Sequence, residues 1–210
     1  MDAKNIKVAC CGPSGSGKTT LCNLLSEQLH LRFIPSSVGL IFTDQQKEHL
    51  AEFGYKNMGH QNVINLSNAN PEFGKTFQQY ALEARANILS YGADQMILDR
   101  SPVDNLTYAS LQCGHNFTEK EFEKFFEEAL EAFENLTHLI YVKSVCPDIE
   151  VNNSRVANLY YQRMVDRVFE YYLTELQGTT ECGPKVLVID TWSDDPQDRA
   201  ELAKKFILAE

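Results

Sequence analysis

Apolar residues fall along the chain in two kinds of spacing. Short, largely apolar runs at residues 6–11, 31–34, 96–98, 139–142 and 186–189 end at polar or turn-forming residues, and runs of that length predict buried strands. Leu21, Leu24, Leu25 and Leu29 instead recur at helical spacing behind Gly17. Residues 43–53, 73–91, 103–111, 119–133, 156–176 and 196–208 can also be helical. Within 119–133, Phe122, Phe125, Phe126, Leu130 and Phe133 make an aromatic stripe beneath an acidic face, the pattern of a helix packed on a core. Strands alternating with helices predict an α/β fold whose parallel sheet is covered on both faces, with active residues at the carboxyl ends of the strands. Residues 54–74 are rich in Asn, Gly and Gln, carry little periodicity, and are expected to form a long functional or mobile loop.

Composition narrows the classes. At 210 residues the chain suits one domain with a buried core, residues 1–210. The six cysteines, Cys10, Cys11, Cys22, Cys113, Cys146 and Cys182, show neither a C-x-x-C pair nor the spacing of a disulfide framework, which fits a reducing cytoplasm. The five histidines are scattered, and no zinc site is expected. The amino terminus runs directly into a strand-like segment without a signal-peptide pattern, and no apolar run approaches membrane-spanning length. A net charge of −10 disfavours polymeric nucleic acid, yet leaves room for a local arginine cluster that binds a small phosphorylated ligand. The sequence permits a homodimer without requiring one.

The chemistry begins at the first strand. Gly12-Pro13-Ser14-Gly15-Ser16-Gly17-Lys18-Thr19 matches G-x-x-x-x-G-K-[ST], with Thr20 next, and it lies between a predicted strand and a predicted helix. The glycines let the backbone turn so that amide N–H groups face phosphate oxygens, and the helix adds its positive end. Lys18 is positioned to neutralise the β- and γ-phosphates of ATP, and the Thr19 hydroxyl to coordinate Mg²⁺.

Asp99 ends a predicted buried strand and should point into the crevice beside those phosphates, as acceptor of a hydroxyl proton, holder of Mg²⁺, or both. Arg100 follows it and can hold the acceptor or a donor phosphate; Ser101 is the better placed cap for the next helix. Farther on, Arg155 lies in a polar segment, and Arg163 and Arg167 share one face of a predicted helix beside Asp166. Converging arginines would stabilise charge on a transferring phosphoryl group, with Arg155 and Arg163 the stronger candidates; for Arg167 a solvated face with an Asp166 surface pair is at least as good a reading.

Taken together, the loop at residues 12–20, Asp99-Arg100 after the third strand, and Arg155 to Arg163 after the fourth resemble the P-loop nucleoside and nucleotide kinases. Their order is especially similar to the branch that includes nicotinamide riboside kinase domains and small bacteriophage-type kinases. The resemblance implies a three-layer P-loop NTPase fold with a five-stranded parallel sheet and a helical lid. It also implies an acceptor-activating Asp99, lid arginines on phosphates, ATP and Mg²⁺ as cofactors, and a nucleoside or nucleotide acceptor. Residues 36–74 would be the acceptor-side insertion and 147–170 the lid. Deoxynucleoside kinases carry Glu-Arg-Ser where this chain has Asp99-Arg100-Ser101.

For the acceptor, Gln78 and Arg85 on the helix at 73–91 are the candidate binding residues, beside Phe77 and the aromatic-bearing stretch before them. Two other functions stay open: phosphorylation of a hydroxylated modified base within DNA, and a nucleotide-hydrolysing switch. GTP specificity is disfavoured, because Lys143-Ser144-Val145-Cys146 follows the fourth strand in place of an Asn-Lys-x-Asp motif.

Overall fold

All five apolar runs become strands: β1 (Ile6–Cys11), β2 (Arg32–Ile34), β3 (Gln95–Asp99), β4 (His138–Val142) and β5 (Lys185–Ile189). The computed structural model describes residues 5–35, 41–56, 60–92, 94–144, 159–191, 193 and 195–209. The strands pair in the order β2-β3-β1-β4-β5, every pair parallel. The expected five-stranded parallel sheet is therefore present. Its helices are α1 (Lys18–Leu29), α2 (Asp44–Glu52), α3 (His60–Ala69), α4 (Pro71–Tyr91), α5 (Pro102–Cys113), α6 (Glu119–Glu134), α7 (Leu159–Thr179) and α8 (Pro196–Leu208). Among the described residues no helix is long and apolar enough to cross a membrane.

Alternation along each strand divides the core into two layers, because successive side chains leave opposite faces of a sheet. Val8, Cys10, Ile97, Ile140 and Val142 meet Leu21 and Leu25 of α1 and Ala200, Ala203 and Ile207 of α8. Ala9, Cys11, Leu98, Leu139 and Tyr141 meet α4, α5, α6 and α7 on the other face. There the α6 stripe delivers Phe125 and Phe133 to the core, as its spacing predicts. A third cluster lies beside the sheet, where Phe42, Leu50, Tyr55, Val63, Phe73 and Phe77 join α2, α3 and α4.

The long loop expected at 54–74 is corrected by this third cluster. Residues 60–69 are helical, and α4 begins at Pro71 rather than at residue 73. Asn70 caps α4 by accepting from the Glu72 and Phe73 amides, with Pro71 in the first helical position. The polar composition of α3 hides its period. Two of its apolar residues, Val63 and Leu66, are nevertheless placed to pack on the aromatic cluster, and tertiary packing rather than propensity holds the helix.

Candidate functional site

Parallel pairing brings the carboxyl ends of β1, β3 and β4 together, with Cys10 opposite Asp99 and Cys11 opposite Tyr141. The segment from Gly12 to Thr20 leaves β1 at this edge and enters α1. Gly12 has φ +137°, and a Cβ there would lie 2.1 Å from the Val142 carbonyl oxygen, so only glycine fits. Gly17 caps α1 in the left-handed region without any side-chain cap, which leaves first-turn amides available to an anion. Lys18 folds back over the loop, donating to the Pro13 carbonyl at 2.6 Å and to Ser16 Oγ at 3.3 Å. Burial lowers its pKa, and the neighbouring Arg100 charge lowers it further. A crowded, desolvated cation of this kind gains strongly from phosphate charge.

Thr19 Oγ1 donates to Asp99 Oδ2 at 2.6 Å, tying the start of α1 to the end of β3. A hydroxyl and a carboxylate in contact are hard oxygen donors suited to Mg²⁺, which commonly completes its shell with nucleotide phosphate and water. Among the described residues no group of three or more His, Cys, Asp or Glu could hold a metal unaided. The three cysteines near the loop are buried packing groups. Burial raises the Cys11 and Cys22 pKa values, so these sulfurs are thiols.

Arg100 has φ +97°, a strained conformation for a residue with a side chain, and its amide donates to the Cys10 carbonyl at 2.9 Å. The turn carries the chain off β3 into α5, where Ser101 is indeed the cap, in a reciprocal capping box with Asp104. Asp104 Oδ1 in turn accepts from Arg100 Nη1 at 3.1 Å, and the guanidinium lies 5.0 Å from the Tyr108 ring centroid. Burial works against the Arg100 charge, but Tyr108 and the Asp104 and Asp99 carboxylates outweigh it and raise its pKa.

The acceptor-side candidates meet a partner helix. Gln78 Nε2 donates to Gln112 Oε1 at 3.0 Å, and Arg85 Nη1 donates to Asn105 Oδ1 at 2.8 Å and to the Ala81 carbonyl at 3.2 Å. Ascending positions on α4 therefore meet descending positions on α5, and the two pairs form rungs of one antiparallel seam. All four side chains are buried. Burial lowers the Arg85 pKa to about 10, against the pull of Asp104 and Asp99. Because Arg85 is only a donor, it fixes the Asn105 amide with Oδ1 inward; Asn105 Nδ2 is then buried with no hydrogen-bond partner among the described residues. A buried donor of this kind is open to an acceptor oxygen, from water or from a ligand.

The arginines beyond β4 fare differently. Arg155 lies outside the described residues. Arg163 and Arg167 are exposed on α7, and neither is bonded to Lys18, Asp99 or any other loop residue. Asp166 does not form the expected surface pair: its half-buried carboxylate accepts from Tyr141 Oη at 2.8 Å and from the Ser144 amide at 3.2 Å. That contact fastens α7 to β4. It also orients the helix, turning positions 163 and 167 outward while 166 faces the sheet.

Sequence reading missed Asn105, Gln112, Tyr108 and Arg199. Asn105 and Gln112 are seven residues apart on one face of α5, as Gln78 and Arg85 are on α4, so matching polar pairs on two helices were the available signal. Arg199 carried none, since it reaches the loop from α8, where Nη1 donates to the Ser16 carbonyl at 3.1 Å.

A family model described as an AAA domain matches residues 7–190. Among solved structures, a NadR protein in complex with NR has a TM-score of 0.59 at 13% identity, covering 99% of this chain and 52% of that one. The chain thus spans about half the length of that relative. Deoxyadenosine kinase from M. mycoides with bound dATP has a TM-score of 0.57 at 15% identity, covering 97% of this chain and 100% of that one. Shikimate kinase from Acinetobacter baumannii in complex with shikimate has a TM-score of 0.51 at 14% identity, covering 98% and 94%. At these identities the likeness is one of fold, and the fold is that expected from the loop and its neighbours. By sequence alone, no curated protein matches the chain.

Proposed function

The chain belongs to the AAA-domain family, and on that premise we propose that it is an ATP-dependent kinase that moves the γ-phosphoryl group to a nucleoside or nucleotide acceptor. One observation carries the reading beyond nucleotide binding: the buried seam of Gln78, Arg85, Asn105 and Gln112, whose Asn105 Nδ2 has no partner among the described residues. A hydrolytic switch has no use for a second polar recognition site beside Asp99. The fold neighbours are compatible, being a deoxyadenosine kinase with bound dATP and a NadR protein with NR.

In this mechanism the loop amides and Lys18 hold the β- and γ-phosphates, and Arg100 faces the same charge. Asp99 Oδ2 is engaged by Thr19, while Oδ1 makes no hydrogen bond to the described residues and is available to an acceptor hydroxyl. Asp99 accepts the proton of that hydroxyl as its oxygen bonds to the γ-phosphorus, and the bond from phosphorus to the bridging oxygen of ADP breaks. Thr19 and Asp99 would hold Mg²⁺, which supplies positive charge to the β- and γ-oxygens. Arg85 and Asn105 orient the acceptor by donating to its oxygen atoms, and Gln78 reads a neighbouring edge. Residues 1–210 act as one domain in this reading, with 36–74 on the acceptor side and 147–170, including Arg155, as the lid that closes over the phosphates.

ADP release measured with Mg²⁺-ATP and a panel of nucleosides, monophosphates and hydroxylated DNA tests the proposal. Acceptor-dependent release that disappears in Lys18→Ala is the expected result. Release of ADP and phosphate at one rate whatever the acceptor would replace the kinase with a hydrolytic switch.

A further inference from the structure

Arg199 occupies an unfavourable place for a cation. It lies in the first turn of α8, whose N-cap is Asp195, and there the helix dipole repels positive charge. It is also buried, at 6% exposure. From there its Nη1 donates to the Ser16 carbonyl at 3.1 Å, across 183 residues of sequence. The room for it is made by Gly17, where a Cβ would lie 2.9 Å from Arg199 Nη2.

The consequence follows from peptide geometry. The described chain has no cis peptide bond, so the carbonyl of Ser16 and the N–H of Gly17 are planar and point in opposite directions. A guanidinium that holds the carbonyl on the α8 side turns the Gly17 N–H to the other side. That amide donates to none of the described residues. Hydrogen bonding at the carbonyl also polarises the peptide and strengthens its N–H as a donor.

We propose that Arg199 is a positioning residue of the phosphate loop: it fixes the Ser16–Gly17 peptide so that the Gly17 amide faces the nucleotide's terminal phosphates, and so couples α8 to phosphate affinity. The proposal rests on the nucleotide-binding reading of the loop. It assigns Arg199 no contact with substrate. Its effect passes through the backbone, and it should be felt by ligands that carry a β-phosphate and ignored by those that do not.

Calorimetric titration of the full chain with ADP and with AMP tests this, using wild type, Arg199→Gln, Arg199→Lys and Lys18→Ala. Arg199→Gln should weaken ADP about tenfold, equivalent to 1.4 kcal/mol, and leave AMP within about twofold. Arg199→Lys keeps an N–H donor but loses the planar fork, and should show an intermediate loss of ADP affinity, about threefold, with AMP unchanged. Equal loss of ADP and AMP in a folded Arg199→Gln protein, or no loss of either, overturns the proposal. If Arg199→Gln fails to fold, Arg199→Lys decides: faster hydrogen exchange at the Gly17 amide with a selective loss of ADP supports it, and wild-type behaviour in both overturns it. Wild type that binds no ADP, or Lys18→Ala that binds it as wild type does, would instead remove the nucleotide-binding reading itself.

Discussion

The phosphate loop and the α4–α5 seam lie at the same edge of the sheet and are built on opposite principles. The loop is local. Lys18 bonds to Pro13 and Ser16 a few residues away, and its shape is set by glycines with positive φ. The seam is assembled from a distance, with Gln78 meeting Gln112 across 34 residues and Arg85 meeting Asn105 across 20. One site is backbone held by conformational constraint; the other is side chains held by helix packing. In the proposed kinase a phosphate presents the same oxygens in every nucleotide, so a fixed backbone cradle serves, whereas acceptors differ and would be met by side chains.

The loop side should be the harder to alter. Gly12→Ala meets both a 2.1 Å approach to the Val142 carbonyl and a φ of +137°, so no rotamer relieves it. A loss of about 4 kcal/mol or more, read as a lowered urea midpoint or as failure to fold, is expected. A midpoint close to wild type would mean that the loop leaves β1 along another path.

Asp99→Asn separates structure from chemistry on the same side. Asparagine still accepts from Thr19, so the tie between α1 and β3 survives, while the proton acceptor is lost. The expected result is a fall in kcat of about 10²–10⁴-fold with little change in stability. Retention of kcat would make Asp99 a structural partner of Thr19 only.

Arg85→Met breaks the seam and spares the loop. The acceptor KM should rise about tenfold, the cost of one charge-assisted hydrogen bond, with the KM for ATP unchanged. If both constants rose together, the seam would be part of one shared site and the comparison with the loop would collapse.

The same contrast explains what the sequence disclosed. The five strands, the loop, Asp99 and the Ser101 cap were legible because each depends on neighbours in the chain: an apolar run, a glycine spacing, a strand end, a capping residue. The seam was half legible. Gln78 and Arg85 were candidates for their place beside Phe77 on the helix, but their partners required knowing that α4 and α5 run antiparallel. Helix α3 was missed because its polar residues mask the period, and Arg199 because nothing in 183 residues of separation links it to Ser16. The Asp166 reading failed for a related reason. A carboxylate between two arginines reads as a surface pair, and only β4 shows that Tyr141 and the Ser144 amide claim it.

Tyr141→Phe tests that third attachment with a smaller effect. Removing the hydroxyl deletes the 2.8 Å bond to Asp166 while the ring keeps its stack on Phe169. About 1 kcal/mol of stability should be lost, and the carboxylate retains the Ser144 amide. Neither KM should move, since Asp166 touches neither the loop nor the seam.

The smallest expected effect lies at the opposite end of the sheet and gives a control for both regions. His138 begins β4 with its ring against Phe206 and Nδ1 at 2.9 Å from Thr137 Oγ1, and its Nε2 is buried without a partner among the described residues. Burial lowers its pKa, and the charge of Lys185 lowers it further. A histidine depressed in the folded state is protonated first in the unfolded chain, so its contribution to stability is full above the unfolded value of about 6.5 and is lost as pH falls from there toward the folded value. The slope from this one group cannot exceed about 1.4 kcal/mol per pH unit. His138→Gln should flatten that part of the acid limb when urea midpoints at pH 8 and pH 5.5 are compared. Nucleotide and acceptor constants should be those of wild type at both pH values, because the substitution lies at the amino-terminal edge of the sheet and both binding regions lie at the carboxyl edge. A change in either constant would show that the two edges are coupled through β4, and the loop and the seam could then no longer be treated as independent of the sheet that carries them.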